Sequence, residues 1–333
     1  MALKVLIIRF SAIGDVVLTT PVIRSLYKQI PEVEIHYLTK KAQLPLLEHN
    51  PYVHTVHVLE DSFSATIAKL KKVGFDHILD LHHNIRSWRV KRALEATSTS
   101  FDKKNKDKWL LCQPRLRYLA KPIEHIVPRY ADTLAPLGAE LDQDGLDFFL
   151  PEGLEEWAAK ELTEKMEHVP RLAIVLGASF ATKRWEFHRF IDLIDLYKKP
   201  VLLIGGPDMK DEAFLIEVSS EAPVFNAVGE YGLLESAALM KTCPLVLSHD
   251  TGFMHIAAAF KQKVISLWGN TVPEFGMTPY ETPHAIVEVE RLNCRPCSKL
   301  GYGSCPKGHF ACMDEIKPAE VLQEIYALDA ASF

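Results

Sequence analysis

The alternation of apolar, strand-like runs with amphipathic, helix-like stretches is the feature that most constrains how this chain of 333 residues can fold. Continuous runs such as "LAIVLG", "VLLIGG" and "VISLWG" are typical of strands buried on both faces of a parallel sheet. Such strands need helices on both faces of the sheet, and helix-like periodicity fills the segments between them. The sequence therefore predicts a doubly wound α/β architecture.

Each half of the chain has its own series of alternating strands and helices. The predicted strands span residues 4–10, 34–39, 54–59, 77–81, 171–177, 201–206, 224–228, 245–249, 264–268 and 285–289. The predicted helices lie near residues 15–29, 62–73, 127–137, 153–168, 186–198, 210–220, 231–242, 252–261 and 318–328. The turn signals in "LDQDGLDFFLPEG" predict two domains, residues 1–150 and 151–333, each with its own parallel sheet. Because ligands bind beyond the carboxyl ends of such strands, we expect the site in a cleft between the facing sheets.

Three strand-to-helix junctions in the second half could hold a nucleotide diphosphate. In "LVLSHDTGFMHIAAAF", the first turn of a helix after Gly252 leaves N–H groups unpaired, and these attract anions. Thr251 can donate its hydroxyl, and Asp250 can accept hydrogen bonds from sugar hydroxyls. The alternative is that Asp250 only caps this helix and that His255 is an internal partner within it.

The other two junctions supply further polar groups. Ser179 and Lys183 in "LGASFATKRWEF" offer a hydroxyl and a point charge for phosphate. In "LIGGPDMKDEA", Asp208 or Glu212 could bind ribose hydroxyls. The motifs G-x-x-x-x-G-K-[ST] and G-x-G-x-x-G are both absent from the sequence, which disfavours a P-loop kinase or ATPase.

A further candidate residue lies near the amino end, in "FSAIGDVVLTTP". Asp15 follows a strand and stands where a helix begins. It is either a helix cap or a reactive carboxylate, and the spacing alone leaves both roles open.

The segments "FSAIGDVVLTTP", "ASFATKRW" and "SHDTGFMHIAAAF" resemble the bacterial ADP-heptose:lipopolysaccharide heptosyltransferases over essentially the whole chain. The resemblance implies a GT-B fold, in which the first Rossmann-like domain binds the acceptor and the second binds the nucleotide sugar. It also implies metal-independent, inverting transfer of heptose from ADP-heptose to the inner core of lipopolysaccharide, with no cofactor required.

Residue by residue, the resemblance assigns Asp15 as the general base, and Ser179 and Lys183 as diphosphate ligands. It assigns the donor sugar and phosphates to Asp250, Thr251 and Gly252, with His255 supporting their loop. Asp208 would contact the ribose.

Residues 86–129 contain twelve Lys or Arg against four Asp or Glu, whereas the whole chain has a net charge of −5. This basic segment indicates an anionic partner, although a solvated loop has the same composition. With the resemblance, the partner would be the anionic lipopolysaccharide precursor at the inner face of the cell membrane. Its candidate ligands are Arg86, Arg89, Lys91 and Arg92.

Four of the six cysteines lie within "CRPCSKLGYGSCPKGHFAC", namely Cys294, Cys297, Cys305 and Cys312. Their spacing could enclose a structural zinc ion, with His309 as a spare ligand, or could support transient disulfides. The formal Asp-x-Asp at Asp142 and Asp144, typical of metal-dependent transferases, overlaps a turn signal, so we do not assign it a catalytic metal.

No apolar run approaches the ~20 residues that span a bilayer, and no basic, signal-like region precedes the first strand. We therefore expect a cytoplasmic protein that touches the membrane only peripherally. Two alternatives stay open: another GT-B sugar-nucleotide enzyme, such as a 2-epimerase, and a non-catalytic nucleic-acid-binding protein. Under the main hypothesis no nucleic-acid partner is expected.

Overall fold

A computed structural model describes residues 2–331, which divide into two compact units. Unit 1 comprises the residues up to 104 together with 124–149, and unit 2 comprises residues 105–123 together with the chain from 150 onward. The chain therefore leaves unit 1 for residues 105–123, which the sequence analysis had placed in the first domain.

Unit 1 is built on a five-stranded parallel sheet in the order β3-β2-β1-β4-β5. Its strands are β1 (Lys4–Ile8), β2 (Glu34–Thr39), β3 (Thr55–Val58), β4 (His77–Asp80) and β5 (Thr97–Ser100). Its helices are α1 (Ile13–Val17), α2 (Thr20–Gln29), α3 (Phe63–Lys71), α4 (Ile85–Leu94) and α6 (Ile126–Ala131). The middle strand β1 reads "KVLII", and Val5 to Ile8 are fully buried, as a strand covered on both faces requires.

Unit 2 contains α5 (Asn105–Leu111) and a six-stranded parallel sheet in the order β11-β10-β9-β6-β7-β8. Its strands are β6 (Leu172–Val175), β7 (Val201–Ile204), β8 (Val224–Asn226), β9 (Leu245–His249), β10 (Lys263–Trp268) and β11 (His284–Glu288). Its other helices are α7 (Leu154–Lys165), α8 (Phe187–Tyr197), α9 (Lys210–Ser219), α10 (Leu233–Lys241), α11 (Gly252–Ala259), α12 (Ala311–Asp314) and α13 (Pro318–Ala330).

Both sheets have a topological switch point, where successive crossovers run in opposite directions from neighbouring strands. In unit 1 it lies between β1 and β4, and in unit 2 between β6 and β9. Open α/β sheets bind ligands in the crevice outside the carboxyl ends of the strands at this point. The loops after these four strands therefore define where functional side chains are expected.

The predicted α/β class with two parallel sheets is confirmed, but the sequence analysis missed β5 and the helices α4, α5 and α12. α4 and α5 lie in the strongly charged segment, where apolar periodicity is weak. β5 reads "TSTS" and is mostly exposed, so it has no apolar signal. The predicted helix at 15–29 is divided into α1 and α2, and the one at 127–137 becomes α6 followed by a 3₁₀ turn.

Residues 105–123 are fixed to unit 2 by polar contacts to the cysteine-rich loop. The Arg117 guanidinium donates hydrogen bonds to the backbone carbonyl oxygens of Arg295, at 3.0 Å, and Asn293, at 2.8 Å. No helix within residues 2–331 combines the length and apolarity needed to cross a membrane.

Unit 1 also contains a nearly buried ion cluster around Arg24 on α2. Its guanidinium lies 2.6 Å from the Asp142 carboxylate and 2.5 Å from that of Asp147. Lys28 lies 3.5 Å from Asp142 and 2.9 Å from Asp144. The formal Asp-x-Asp is thus occupied by cationic side chains of α2, which agrees with a structural role for this turn.

We expect Arg24→Met to destabilise unit 1 by about 3–5 kcal/mol, because it removes the buried guanidinium that pairs with both Asp142 and Asp147. Lys28→Met is the matched control. Its side chain is 45% exposed, so its loss should cost much less stability than the loss of Arg24. Urea unfolding followed by circular dichroism measures both values, and equal costs for the two variants would contradict this account.

Candidate active site

Asp15 lies in the first turn of α1, just beyond the carboxyl end of β1. Its Oδ2 accepts a hydrogen bond from the Ala12 backbone N–H at 3.1 Å and lies 2.6 Å from Arg9 Nη2. The side chain remains 22% exposed. Asp15 therefore caps α1, as the simpler sequence interpretation had it, and still has a solvent-accessible carboxylate.

Arg9 fixes the position of that carboxylate. The guanidinium is buried, and it donates from Nη1 to the Leu81 carbonyl at 2.7 Å and from Nε to the Ser11 carbonyl at 2.9 Å. Burial disfavours its charge, but the attraction of Asp15 outweighs this cost and raises the pKa of Arg9 above its usual value. Arg9 therefore stays cationic and ties the loops after β1 and β4 together.

His82 joins the same group, although the sequence analysis assigned it no role. Its ring lies 4.8 Å from that of Phe10, centroid to centroid, in an edge-on arrangement. Burial, followed by the charges of Arg9 and Lys103, lowers the pKa of His82 to about 4, so the imidazole is neutral at physiological pH. Its position directly beyond a predicted buried strand was the signal that could have identified it.

Lys91 differs from the other cations that the sequence analysis grouped with it. Its ammonium lies 3.0 Å from Asp80 Oδ2, and Asp80 is fully buried at the end of β4. The Ser87 hydroxyl donates to the same oxygen at 2.9 Å. Lys91 therefore neutralises an internal carboxylate that holds the start of α4.

The three arginines of α4 are exposed, and each guanidinium lies over an aromatic ring. The pairs are Arg86 over Phe10 at 6.0 Å, Arg89 over Phe63 at 4.3 Å, and Arg92 over Trp88 at 5.6 Å. Ile85 is 80% exposed and Trp88 is 53% exposed on the same helix. This helix thus presents cationic and apolar groups together.

In unit 2, the loops after β6 and β9 meet in a close ion pair. Lys183 Nζ lies 2.5 Å from Asp250 Oδ2, and both side chains are largely buried. The Thr271 hydroxyl donates to the same carboxylate oxygen at 2.9 Å. The two predicted ligands from separate loops are therefore adjacent, and their opposite charges hold each other in place.

The Asp-Thr-Gly turn leads directly into α11. Thr251 is the N-cap residue, its hydroxyl lies 3.2 Å from that of Ser248, and α11 begins at Gly252. His255 is buried one turn further along this helix. The first-turn N–H groups of α11 thus lie beside the Lys183–Asp250 pair at the switch point, where an anion is favoured.

The remaining two predicted donor ligands are more exposed. Ser179 lies in the loop after β6, and Asp208 accepts a hydrogen bond from Arg184 Nη2 at 2.9 Å. Arg184 Nε donates to the Ala178 carbonyl at 2.9 Å. Arg184, which the sequence analysis noted only as a neighbour of Lys183, therefore connects the loops after β6 and β7.

His249, the last residue of β9, is a structural member of the site that sequence reasoning missed. The ring is buried, and its Nε2 accepts the Trp185 backbone N–H at 2.9 Å. Burial lowers the pKa of His249 to about 4. A neutral His249 thereby joins the end of β9 to the loop that carries Lys183.

A cavity of about 440 Å³ opens in unit 2 beside Arg184. This volume is within the range of ligand pockets. Its walls combine aromatic, apolar and charged side chains, among them Arg184, Trp185, Phe187, Met209, Glu212 and Phe310.

The four cysteines of the predicted metal loop are reduced and lie near one another. Cys312 interacts electrostatically with each of the other three, and burial raises its pKa to about 12. Cys294 Sγ lies 3.7 Å from His309 Nε2. Within residues 2–331 these sulfur atoms are not drawn into a tight ligand group.

Cys305 has the surroundings of a metal-binding thiolate. Burial opposes ionisation, but backbone N–H groups of Lys307, Phe310, Gly308 and His309 lower the pKa of Cys305 below its usual value. Several N–H groups directed at one sulfur stabilise a thiolate. The structural metal at this loop stays a prediction.

Comparison with known proteins identifies the family. The family model of "Glycosyltransferase family 9 (heptosyltransferase)" matches residues 64–302. The chain belongs to glycosyltransferase family 9. The predicted family and glycosyltransferase activity are thereby confirmed.

Individual members of family 9 agree with this assignment. Lipopolysaccharide heptosyltransferase 3 of Escherichia coli K12 is 27% identical over 78% of this chain and 80% of its own length. A family 9 glycosyltransferase from Veillonella parvula is 20% identical, with a TM-score of 0.79 over 98% of this chain and 96% of that one. Escherichia coli ADP-heptose lps heptosyltransferase II is 19% identical, with a TM-score of 0.74 over 98% of both chains. The predicted GT-B fold is confirmed by these structural matches.

The pKa of His249 predicts how the stability of unit 2 responds to acid. The folded value of about 4 lies below the unfolded value of about 6.5, so the unfolded state binds the proton first as the pH falls. The contribution of neutral His249 to the free energy of unfolding is fully present above pH ~6.5. It decreases by at most about 3 kcal/mol as the pH falls towards ~4.

His249→Gln keeps an acceptor for the Trp185 N–H but cannot titrate, so its unfolding free energy should fall less steeply over this range. His188→Gln, at an exposed position, serves as the control. Urea unfolding at several pH values measures the slopes. An unchanged slope in His249→Gln would show that this histidine does not titrate as described.

Proposed function

We propose that this protein transfers heptose from ADP-heptose to the inner core of a lipopolysaccharide precursor, with inversion at the anomeric carbon and without a catalytic metal. Membership of glycosyltransferase family 9 supports heptose transfer. The observation that carries the site assignment is the Lys183–Asp250 pair beside α11, at the switch point of the unit 2 sheet. Unit 2 would bind the donor and unit 1 the acceptor.

Lys183 and the amino end of α11 are the proposed diphosphate ligands. Thr251 and Gly252 would present a hydroxyl and backbone N–H groups, and Ser179 would add a hydroxyl from the loop after β6. The phosphates would compete with Asp250 for Lys183 and would leave the Asp250 carboxylate to accept hydrogen bonds from heptose hydroxyls. His255 supports this arrangement from within α11.

The cavity beside Arg184 is the proposed nucleoside site. Adenine would pack against its aromatic and apolar walls, and Glu212 would accept hydrogen bonds from the ribose hydroxyls. Asp208, the sequence-based candidate for this contact, is paired with Arg184, so the ribose would have to compete with that pair.

Asp15 is the proposed general base. It would remove the proton from the acceptor hydroxyl as that oxygen attacks the anomeric carbon, a contribution of typically ~10²–10⁴-fold. Arg9 holds the carboxylate in one position but also favours its charged form, which weakens it as a base. We infer that Arg9 mainly supplies orientation, and that proton transfer occurs late, when the attacking oxygen has become acidic.

The departing ADP would be stabilised by fixed charge. Lys183 and the first-turn N–H groups of α11 act where negative charge develops, and they need no reorganisation at the moment of reaction. This arrangement would take the part that a divalent cation plays in metal-dependent transferases. Transfer should therefore continue in the presence of a chelator.

The arginine-rich face of α4 is the proposed acceptor surface. Arg86, Arg89 and Arg92 would bind the carboxylates and phosphates of the precursor, while Lys91 would act indirectly by holding α4 through Asp80. The exposed Ile85 and Trp88 suit contact with a membrane interface. We propose a cytoplasmic location with peripheral binding at the inner membrane face.

The cysteine-rich loop is the proposed site of a structural zinc ion. Cys294, Cys297, Cys305 and Cys312 would hold it, and four thiolates suit tetrahedral zinc. Metal analysis of protein purified without added zinc should show one equivalent less in Cys305→Ser than in the wild type. Cys243→Ser, a buried cysteine elsewhere in unit 2, should lose none; an equal metal content in all three proteins would refute the site.

The role of Asp15 is tested by Asp15→Asn, which keeps the cap but cannot accept a proton. We expect the transfer rate to fall by ~10²–10⁴-fold while ADP-heptose affinity stays the same. Asp61→Asn, an exposed residue of unit 1, is the control. Transfer assays and calorimetry separate the two effects, and near wild-type transfer by Asp15→Asn would exclude Asp15 as the base.

The role of Lys183 is tested by Lys183→Met. Loss of a charged hydrogen bond to the diphosphate should weaken ADP binding by about 10–100-fold. The control is Lys210→Met, which removes an exposed lysine that pairs with Glu230 at 2.9 Å. Calorimetric titration with ADP provides the measurement. Equal affinities in the two variants would mean that Lys183 serves only to hold Asp250.

A further inference from the structure

A second group of potential ligands lies in unit 1 at the amino ends of β2 and β3, the sheet edge opposite to Asp15. Glu34 begins β2, and His36 follows two residues later on the same face of the strand. His54 directly precedes β3, and its backbone N–H donates to the Ile35 carbonyl at 2.8 Å. One ligand atom from each of Glu34, His36 and His54 lies within 4.8 Å of the other two.

His36 is the fixed member of this group. The residue is only 4% exposed, and its Nδ1 lies 3.0 Å from His57 Nε2. The other ring nitrogen, Nε2, is buried and has no hydrogen-bond partner in the part of the chain that the structure describes. Glu34 Oε2 lies 3.8 Å from it. A buried polar atom without a partner is costly, so this arrangement requires an explanation.

His57 and Phe75 complete the surroundings of His36. A proton on His36 Nδ1 would be donated to His57 and would leave the Nε2 lone pair directed at Glu34. A metal-bound histidine uses its second nitrogen in this way. The Phe75 ring packs edge-on at 5.2 Å from the His36 ring.

We propose that Glu34, His36 and His54 form a binding site for a divalent transition-metal ion, with zinc as the best fit. Two imidazoles and one carboxylate form an established zinc ligand set, and water can fill the fourth position. Zinc–ligand bonds of ~2.0–2.2 Å place the ligand atoms roughly 3.3 Å apart. In this structure the ligand atoms are up to 4.8 Å apart. The side chains of Glu34, which is partly exposed, and His54, which is exposed, can rotate to close this gap while His36 stays in place.

Lys4 is the competing cation at this site. Its ammonium lies 3.8 Å from Glu34 Oε2 and donates to the Val73 carbonyl at 3.4 Å. The Lys4 side chain is 35% exposed, so zinc can displace it into solvent. The bound ion would then fasten the edge strand β3 to β2 and stabilise unit 1. This site uses neither the catalytic candidates nor the cysteine-rich loop.

The test is the zinc content of untagged protein after dialysis against micromolar free zinc. Glu34→Gln and His54→Ala each remove one ligand from a solvent-accessible position, so both variants should fold. Each should bind one equivalent less zinc than the wild type, whatever the cysteine-rich loop holds. His49→Ala, which removes a surface histidine 3.7 Å from Glu48, should bind as much as the wild type.

Two further readouts separate a built site from weak surface binding. Zinc should raise the unfolding temperature of the wild type and of His49→Ala by the same amount. The rise should be smaller in His54→Ala, because this variant lacks the site. His57→Ala should lower the affinity by about 10–100-fold, as loss of a partner behind a ligand does, measured by competition with a chromophoric chelator. Zinc contents of Glu34→Gln and His54→Ala equal to that of the wild type would overturn the proposal.

Discussion

Each parallel sheet is buried on both of its faces, and the rest of this structure follows from that constraint. The inner strands of both sheets are buried and largely apolar, so Asp15, Lys183 and Asp250 lie beyond the ends of these strands. The candidate active-site residues lie in or next to loops at the carboxyl ends of the strands, and the switch points determine which of these loops come together. Lys183 and Asp250 are 67 residues apart in the sequence, yet their side chains are in contact because β6 and β9 are neighbours.

Asp15 illustrates how the contacts of a helix cap can also suit the role of general base proposed for this residue. Its hydrogen bond to the Ala12 N–H and its ion pair with Arg9 are sufficient to explain an aspartate at this position. The same contacts fix the carboxylate in one orientation, which a general base needs. The cap and the proposed base therefore place the same demand on this side chain.

The fold could be predicted from the sequence largely because the buried strands have a strong signal. Short apolar runs such as "LAIVLG" and "VISLWG", separated by helix-like segments, are readily interpreted as buried strands of a parallel sheet. β5 could not be found, since Thr and Ser in an exposed edge strand give no apolar pattern. α4 was hidden because its exposed face carries arginines beside Ile85 and Trp88, which reverses the usual amphipathic pattern.

The candidate site was predictable as a set of residues but less so as a set of contacts. The resemblance located Lys183 and Asp250, whereas their pairing depends on strand order. Lys91 was grouped with neighbouring arginines on charge alone, and only the buried Asp80 distinguishes it. His82 and His249 were assigned no role from the sequence, because the contacts that make them neutral depend on how the loops pack.

The placement of residues 105–123 has a consequence for dissecting this protein. The chain passes from one unit to the other after residues 104, 123 and 149, so no single cut separates them. A fragment ending at residue 150 would contain Arg117 but not the carbonyl groups of Asn293 and Arg295 that accept its hydrogen bonds. The fragment from residue 151 onward would lack residues 105–123, which belong to unit 2. An isolated unit 1 would instead need residues 105–123 replaced by a short linker that joins residue 104 to residue 124.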